Sequence, residues 1–338
     1  MKTKQIVFTK PYTAELLEAE CLSPKANEVT LELAFSAISA GTERANYIGA
    51  RNRVDLSEDT APEFPRTVGY SATGVVTAIG ENVKNVQVGD RVAAFWTKHK
   101  KHITLHKDGI IKLPDEVSLQ EAAISYISVF PLAAIRKTRL EIGESALVMG
   151  LGILGILAVE ELKAAGAYPI IAVDPIAERR ELALKLGADF ALDPTKEGFC
   201  DKVIQLTNGG AKVCIEVTGL GIGLIQALDC MKEMGRVALL GCTRSSKFEI
   251  DYYGKVHGRG ISLIGAHTIA RPSFESSAGL WTAQDDLSAV INLIKGGRLN
   301  FKDIISEIHS PCDAQLVYDR LANDKNFPVG VLFDWSKI

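Results

Sequence analysis

The residues that point most clearly to chemistry lie in a glycine-rich segment near the middle of the chain. Gly150, Gly152 and Gly155 form a G-x-G-x-x-G motif that follows a short apolar run and precedes an amphipathic one. Between a strand and a helix, the first glycine permits a tight turn, the second lets a pyrophosphate approach the backbone, and the third lets the helix pack against the strand. The N–H groups of Ile153 and Leu154 would face the phosphates from the helix N-terminus. The motif predicts a dinucleotide site.

An acidic residue follows at the spacing that such a site requires. Asp174 comes 19 residues after Gly155, at the end of a second apolar run. A carboxylate there accepts the ribose hydroxyls of the adenosine half and repels a 2′-phosphate, so Asp174 favours NAD(H) over NADP(H). Arg179 and Arg180 follow closely, and because arginine is the residue that receives a 2′-phosphate, NADP(H) stays open as the alternative.

The elements that must position these residues follow from the pattern after residue 122, where short apolar runs alternate with amphipathic ones. The apolar runs predict strands at residues 146–149, 169–173, 190–192, 213–217, 237–240 and 261–264. The amphipathic runs predict helices at residues 153–165, 177–186, 196–207 and 221–234. This alternation indicates an α/β fold, a Rossmann-type doubly wound sheet of six parallel strands.

The later strands supply further candidates for the cofactor. Thr218, Gly241 and Cys242 each follow the predicted end of a strand. Because the carboxyl ends of parallel strands meet the ligand in such sheets, we expect these residues to contact the ribose and the nicotinamide. The alternative is that they form strand-end turns only.

The two ends of the chain have a different pattern from the middle. Residues 30–35 alternate as a strand does, residues 68–79 predict a second strand broken by Gly74, and Ser118 with Glu121 predicts a capping box. Near the C-terminus, helices are predicted at 283–295 and 312–321 and a strand at 329–333. We therefore expect one discontinuous β-rich domain, residues 1–124 and 272–338, around a dinucleotide domain at 125–271. The active site would lie in the cleft between them.

Composition excludes several classes of protein. The chain has 38 basic and 41 acidic side chains in 338 residues, a net charge of −3, and no basic run that suggests nucleic acid or a membrane surface. Its apolar runs are too short to span a bilayer, and its start does not resemble a signal peptide. The six cysteines lack C-x-x-C spacing, which is typical of reduced thiols in the cytoplasm.

Several short motifs along nearly the whole chain resemble the medium-chain dehydrogenase/reductase superfamily, which includes alcohol and polyol dehydrogenases, quinone oxidoreductases and enoyl reductases. Besides the glycine motif, they are Ser39-Ala40-Gly41-Thr42-Glu43, Gly69-Tyr70-Ser71, Gly80-x-x-Val83, Gly89-Asp90-Arg91-Val92, Leu113-Pro114-Asp115 and Lys185-Leu186-Gly187-Ala188-Asp189. The resemblance implies a GroES-like catalytic domain beside the Rossmann domain, a small-molecule substrate, and a homodimer or homotetramer.

The chain departs from the family at the positions of the metal. Zinc-dependent members hold a catalytic zinc with three or four side chains, but the corresponding positions here are Ala40, Tyr70, Ser71 and Ser125. Residues 95–113, where those members carry four closely spaced cysteines, contain none. We therefore expect a member that lacks both zinc sites.

The resemblance also suggests which side chains could replace the metal. Tyr70 occupies a ligand position, and its phenol could donate to an alkoxide; the alternative is that it only fills the core. Thr42 matches the hydroxyl that relays the substrate proton, or it caps a turn. Glu43 is predicted to orient substrate hydroxyls, with a structural ion pair as the alternative. His99 could relay protons, or belong to a solvated basic loop.

Other residues are predicted to line the pocket or hold the cofactor. Trp96 corresponds to an aromatic residue of the family's substrate pocket, and Tyr47 follows the same turn as Thr42. Aromatic faces beside polar groups suit sugars or cyclic polyols. Ala266 and His267 resemble the segment whose backbone meets the nicotinamide amide, with a side-chain role for His267 in the pocket. Arg179 matches a position that contacts the adenosine ribose.

Together these observations predict a cytoplasmic, zinc-independent, NAD-dependent oxidoreductase that acts on a secondary alcohol or ketone of a polar, sugar-like or cyclitol-like substrate. One alternative is reduction of an activated C=C bond in an enone or quinone, where no alkoxide forms at the hydride-accepting carbon. The other is a non-catalytic NAD-binding protein.

Overall fold

The computed structural model of the chain describes residues 1–50, 63–242 and 247–338. It divides into two compact units. The terminal unit comprises Met1–Ile127 and Leu287–Ile338, and the central unit comprises Ser128–Asp286. The boundaries predicted from the sequence were 124/125 and 271/272.

The secondary structure elements are numbered in chain order. The strands are β1 (Lys2–Lys10), β2 (Thr13–Glu20), β3 (Glu28–Ala37), β4 (Arg66–Thr67), β5 (Ser71–Ile79), β6 (Arg91–Phe95), β7 (His102–His106), β8 (Ile110–Lys112), β9 (Ala146–Met149), β10 (Ile170–Val173), β11 (Phe190–Leu192), β12 (Ala211–Glu216), β13 (Met231–Leu239), β14 (Ser262–Gly265), β15 (Ile305–His309) and β16 (Gly330–Asp334). The helices are α1 (Ala40–Tyr47), α2 (Leu119–Ala122), α3 (Ser125–Thr138), α4 (Ile153–Ala164), α5 (Ala177–Leu186), α6 (Phe199–Leu206), α7 (Gly221–Asp229), α8 (Ala283–Lys295) and α9 (Ala314–Asn323). Among the described residues, none of the helices is long and apolar enough to cross a lipid bilayer.

The central unit contains one six-stranded parallel sheet, in the order β11-β10-β9-β12-β13-β14. In the middle of this sheet Val148 lies between Ala172 and Ile215, and all three are fully buried. Burial on both faces explains why these strands are continuous apolar runs in the sequence. The predicted doubly wound fold is confirmed.

One predicted helix of the central unit is too long. The helix predicted at 221–234 ends at Asp229, and β13 begins at Met231. Met231 pairs with Ala211 and Arg236 pairs with Val213, so the residues between them bulge out of the ladder. Met234 has a φ of +61°, which a helix does not accommodate. Apolar spacing alone does not distinguish this bulged strand from the end of a helix.

The terminal unit is built from both ends of the chain. Its larger sheet has the order β15-β16-β3-β5-β6-β8, with β7 also paired to β3, and a smaller sheet has the order β2-β1-β4. Strand β16, near the C-terminus, pairs antiparallel with β3, as Leu332 opposite Ala37 shows. The two ends of the chain therefore complete one β-rich unit, as the sequence predicted.

Glycines explain two details of this sheet. A Cβ on Gly74 would lie 2.3 Å from the Glu32 carbonyl oxygen, so only glycine fits where β5 crosses a register shift of β3. Gly69 has a φ of +95° and turns the chain, so β5 begins at Ser71 rather than at the predicted residue 68. At the start of α2, the Glu121 N–H donates to Ser118 Oγ at 3.2 Å, which is one half of the predicted capping box, and the Ser118 hydroxyl donates to Glu121 Oε2 at 2.8 Å.

Candidate functional site

The glycine loop of the central unit has the geometry that the motif predicts. Gly150 has a φ of +95°, in the left-handed region where glycine is favoured. A Cβ on Gly155 would lie 1.9 Å from the Gly150 carbonyl oxygen, so α4 packs against the turn only because this residue is glycine. A Cβ on Gly152 would meet no atom within 4 Å. The space beside Gly152 is open, as a phosphate cradle at the start of α4 requires.

Asp174 lies at the end of β10 and is tied to this loop. Its Oδ2 accepts the Leu151 N–H at 2.9 Å, and its Oδ1 accepts the Ile176 N–H at 2.9 Å. Arg179 Nη1 lies 3.8 Å from Oδ2, whereas Arg180 donates to the Asp174 backbone carbonyl at 2.7 Å. A carboxylate has about four lone-pair sites, so Asp174 keeps acceptor capacity for ribose hydroxyls. Asp174 therefore shapes the glycine loop.

A buried glutamate that the sequence reasoning missed shapes the next turn. Glu216 ends β12, and its carboxylate accepts the Thr218 N–H at 2.8 Å, the Thr218 hydroxyl, and the Gly219 N–H at 3.3 Å. Burial raises the pKa of Glu216, and these hydrogen bonds oppose that shift. A charged residue at the end of an apolar strand was the signal that could have revealed it. Thr218 is thus held at the carboxyl end of the sheet.

The remaining predicted cofactor residues follow β13 and β14 at this same edge. The Gly241 N–H donates to the Glu216 carbonyl at 2.8 Å, and a Cβ on Gly241 would lie 2.7 Å from the Val217 carbonyl oxygen. Cys242 is exposed. Ala266 is buried and its N–H donates to the Leu239 carbonyl at 3.1 Å.

His267, which follows Ala266, is exposed, and its Nδ1 accepts the Ile269 N–H at 3.3 Å. The topology therefore brings the motif, Asp174, Thr218, Gly241 and Ala266 to the carboxyl edge of one sheet. These residues fit a dinucleotide.

In the terminal unit, Tyr70 lies among hydroxyl groups. Its phenol donates a hydrogen bond to Ser39 Oγ, and the Thr42 hydroxyl lies near enough to lower the pKa of Tyr70. Burial of the hydroxyl raises the pKa of Tyr70, and the negative charge of Glu43 adds to that shift, whereas the Ser39 and Thr42 hydroxyls oppose it. Tyr70 therefore stays a phenol at neutral pH and is able to donate a hydrogen bond to an oxyanion.

An exposed aromatic face lies beside this phenol. The Trp96 ring centroid is 5.8 Å from that of Tyr70, and Trp96 is 53% exposed. Its φ is +56°, an unusual conformation for a bulky residue, and its N–H donates to the Tyr70 carbonyl at 2.9 Å. Backbone outliers of this kind concentrate at ligand sites. Tyr70 and Trp96 therefore lie side by side, with the Thr42 hydroxyl near the Tyr70 phenol.

The structure corrects the roles predicted for Glu43 and His99. His99 has no exposed surface, and its Nδ1 lies 2.7 Å from Ser36 Oγ and its Nε2 2.9 Å from Glu43 Oε2. Glu43 is buried as well and accepts the Tyr318 hydroxyl at 2.6 Å and the Ser39 N–H at 2.9 Å. Because every polar atom of both side chains is engaged inside the unit, neither one reaches a substrate, and His99 is not on a solvated loop.

Tyr47 is also corrected. It was predicted to line the substrate pocket, but it has no exposed surface and packs with its ring centroid 5.2 Å from that of Phe8 and 5.7 Å from that of Tyr318. Its hydroxyl donates to Asp319 Oδ1 at 2.6 Å and accepts from Gln315. Burial and the Asp319 carboxylate raise the pKa of Tyr47. Tyr47 belongs to the aromatic core of the terminal unit.

The positions that correspond to zinc ligands in the resembled family do not fit a catalytic zinc. Ala40 has no donor atom. The Ser71 hydroxyl donates to the Ala123 carbonyl at 2.6 Å, and the Ser125 hydroxyl donates to the Ala122 carbonyl at 2.6 Å. Zinc takes thiolate, imidazole or carboxylate ligands in proteins, whereas Ser71 and Ser125 supply neutral hydroxyls already bonded to the backbone and Tyr70 supplies a phenol bonded to Ser39.

Comparison with known proteins gives matches along most of the chain. The model of the alcohol dehydrogenase GroES-like domain matches residues 26–115, and that of the zinc-binding dehydrogenases matches residues 154–282. The (R,R)-butanediol dehydrogenase of Bacillus subtilis (strain 168) is 28% identical over 279 residues, 75% of this chain and 75% of that protein. The D-guloside 3-dehydrogenase of Escherichia coli (strain K12) is 26% identical over an alignment of 354 residues, 98% of this chain and 100% of that protein. The crystal structure of the Bacillus subtilis 2R,3R-butanediol dehydrogenase has a TM-score of 0.82 at 24% identity and covers 98% of this chain and 99% of its own.

Proposed function

The chain belongs to the zinc-type medium-chain dehydrogenase/reductase superfamily, and from that premise we propose that it is a zinc-independent, NAD-dependent dehydrogenase that interconverts a secondary alcohol and a ketone. The observation that carries this proposal is the hydroxyl cluster of Tyr70, Ser39 and Thr42, in which Tyr70 is the residue that the resemblance puts at a zinc-ligand position. A cytoplasmic location and a homo-oligomeric state are part of the same proposal.

The cofactor would be held by the glycine loop, Asp174, Arg179 and the strand ends at Thr218, Gly241 and Ala266. NAD(H), when bound, supplies the hydride acceptor or donor. The protein must then manage the charge and the proton on the substrate oxygen. Tyr70 remains protonated, and its single O–H hydrogen would turn from Ser39 Oγ to the substrate oxygen to stabilise an alkoxide or to protonate it as a ketone is reduced. Thr42 lies within the same hydroxyl cluster and assists in moving the proton.

The proposed substrate class follows from the aromatic surface beside the hydroxyls. Trp96 offers a flat, exposed face next to the Tyr70 phenol. Such a face suits the C–H surface of a sugar or cyclitol ring, while hydroxyl groups address its oxygens. The name of a relative that spans nearly the whole chain, D-guloside 3-dehydrogenase, supports a sugar-like substrate.

A screen that follows nicotinamide absorbance tests the proposal. We expect NAD reduction with glycosides, cyclitols or (R,R)-butane-2,3-diol, and slower NADH oxidation with enones and quinones. On the ketone of the substrate found, Tyr70→Phe should lower kcat for NADH oxidation by about a hundredfold or more, the usual contribution of a general acid. Tyr12→Phe, an exposed tyrosine of the same unit, is the matched control and should leave kcat unchanged.

Three results would contradict parts of this proposal. Turnover confined to enones or quinones would identify a C=C reductase instead. NADH binding without turnover of any compound in the screen would identify a non-catalytic NAD-binding protein. One tightly held zinc per chain, in protein purified without chelator, would refute zinc independence.

A further inference from the structure

A continuous chain of hydrogen bonds crosses the buried interior of the terminal unit and ends beside the proposed acid. Trp335 Nε1 donates to Ser36 Oγ at 2.8 Å, Ser36 Oγ lies 2.7 Å from His99 Nδ1, and His99 Nε2 lies 2.9 Å from Glu43 Oε2. Trp335, Ser36 and His99 have no exposed surface, and Glu43 is buried. Water therefore does not supply alternative partners for any of these groups.

The donor and acceptor groups of Trp335 and Ser36 determine the direction of every hydrogen bond in this series. The indole N–H of Trp335 can only donate, so the Ser36 oxygen accepts from it. The Ser36 hydrogen then has His99 Nδ1 as its acceptor. With the Ser36 hydrogen on Nδ1, His99 carries its proton on Nε2 and donates it to Glu43, an assignment made from the network of partners. An imidazolium would place two donors, Trp335 and His99, against Ser36 and leave the Ser36 hydrogen without this acceptor.

Glu43 is the common acceptor at the end of this series of hydrogen bonds. Three donors converge on its carboxylate: His99 Nε2–H at 2.9 Å, the Tyr318 hydroxyl at 2.6 Å, and the Ser39 N–H at 2.9 Å. A protonated carboxyl group would direct its own hydrogen at one of these donors. The arrangement therefore suits an ionised Glu43, which accepts from all three.

We propose that the buried Glu43–His99 pair positions the reactive hydroxyl of Tyr70 by holding Ser39. This rests on the function proposed above for Tyr70. Glu43 Oε1 fixes the backbone of Ser39 at the start of α1, and Ser39 Oγ accepts the Tyr70 hydroxyl. Trp335 and Tyr318, from the last part of the chain, keep the pair oriented. Glu43 and His99 are thus positioning residues.

A second consequence of the arrangement is electrostatic. Glu43 and Tyr126 are the ionisable groups that face Tyr70, and burial together with the Glu43 charge raises the pKa of Tyr70. A carboxylate near a phenol disfavours the phenolate because like charges repel. The pair therefore keeps Tyr70 in the form that donates a hydrogen bond. A purely structural role for Glu43 would not require its charge.

The test uses nuclear magnetic resonance of the full chain with tyrosine labelled at the ζ carbon, and it needs no substrate. The Tyr70 resonance is identified by its loss in Tyr70→Phe. Glu43→Gln should shift this resonance and move the onset of its titration down by about one pH unit or more, as removal of a nearby charge does. The matched control is Glu121→Gln, because Glu121 is another buried glutamate that contacts the serine preceding a helix of this unit. It should leave the Tyr70 resonance in place.

Two further measurements keep the inference open to refutation. If Glu43→Gln does not fold, Tyr318→Phe removes one donor from Glu43 and should shift the Tyr70 resonance while leaving the labelled backbone of the central unit unchanged. In ¹⁵N-histidine spectra, His99 should be neutral with its proton on Nε2, whereas an imidazolium or an Nδ1–H tautomer would overturn the directed chain.

The failure of this inference differs from the failure of the proposed function. An unmoved Tyr70 resonance in both Glu43→Gln and Tyr318→Phe would overturn the positioning role, even if Tyr70→Phe abolishes turnover. Full turnover in Tyr70→Phe would instead overturn the proposed acid, even if Glu43→Gln shifts the resonance.

Discussion

The glycine loop of the central unit and the buried polar network of the terminal unit are built in opposite ways. The loop uses backbone shape within one short segment, where Gly150 turns, Gly152 leaves space and Gly155 allows close packing. The network uses side chains from distant parts of the sequence, and Ser36 and Trp335, which share a hydrogen bond, are 299 residues apart. The geometry of the loop is determined by residues that are close together in the sequence. The hydrogen bonds of the network, in contrast, form only after the terminal unit has folded.

This difference determines what kind of change damages each region. A backbone site fails when an atom is added, because its function depends on space next to the main chain. A buried polar network fails when an atom is removed, because the remaining donors and acceptors lose partners that water does not replace. Each prediction below probes one side of this contrast.

The largest effect is expected from adding one carbon to the loop. In Gly155→Ala the new Cβ would lie 1.9 Å from the Gly150 carbonyl oxygen, so α4 must move away from the turn. Overpacking of this kind costs roughly 3 kcal/mol or more of unfolding free energy, and NADH binding should be lost as well. Urea denaturation and NADH fluorescence titration measure the two effects.

Gly152→Ala is the matched variant for that experiment, since its Cβ would meet no protein atom within 4 Å. It should keep the stability of the parent chain but weaken NADH binding, because the methyl group enters the space assigned to the phosphates. Equal stability of the two variants would contradict the roles assigned to the glycines.

The next effect comes from deleting a member of the network. His99→Leu would remove one of the three donors to the Glu43 carboxylate and leave the buried Ser36 hydrogen without its acceptor. The expected loss of unfolding free energy is about 2–4 kcal/mol. His106, an exposed histidine of the same unit that pairs with Asp108, is the control, and His106→Leu should cost about 0.5 kcal/mol or less. Similar losses in both variants would show that burial and partners at His99 do not matter.

The same contrast explains what could be predicted from the sequence. The six parallel strands, the conformations of the three glycines and the placement of Asp174 beside them were predictable because each depends on neighbours close in the sequence. The helix α3 was not predicted, and the start of β13 was assigned to a helix, because apolar spacing alone does not separate these cases.

The site in the terminal unit was predictable only in part. The cluster of Tyr70, Thr42 and Trp96 came from the resemblance to the family. The burial of Tyr47, Glu43 and His99 depends on the packing of residues 318–335 beneath them, and no local pattern records that packing. The residue type of His99 suggested that it relays protons, whereas its burial between Ser36 and Glu43 makes it part of the buried network.

A smaller effect is expected from changing Asp174, the side chain that accepts a hydrogen bond from the backbone of the glycine loop. Asp174→Asn removes the charge that would repel a 2′-phosphate, next to Arg179 at 3.8 Å. The ratio of the Kd values for NADPH and NADH should fall by about tenfold, which corresponds to about 1.4 kcal/mol. Because Asp174 also holds the Leu151 and Ile176 N–H groups, both affinities should weaken, and the ratio corrects for this shared loss. A parent chain that prefers NADPH would refute the role assigned to Asp174.

The smallest effect is expected from Glu161. It tests whether hydrogen-bond donors, rather than burial alone, determine how a buried glutamate affects stability. Glu161, in the central unit, is buried as Glu43 is, but it accepts from the Ser128 hydroxyl alone, and its Oε2 has no hydrogen-bond partner among the described residues. Burial accordingly raises the pKa of Glu161 well above its usual value. Below about pH 4.3 the group is protonated in both the folded and the unfolded chain, so it has no effect on stability there.

Above that pH the unfolded chain releases the proton and the folded chain retains it, so stability falls as the pH rises toward the folded pKa. Glu161→Gln removes this penalty. It should stabilise the chain by about 1 kcal/mol near pH 8 and by nothing near pH 4, whereas Glu178→Gln, on an exposed face of α5, should change neither value. A gain that is the same at both pH values would mean that packing, and not the missing donors, distinguishes Glu161 from Glu43.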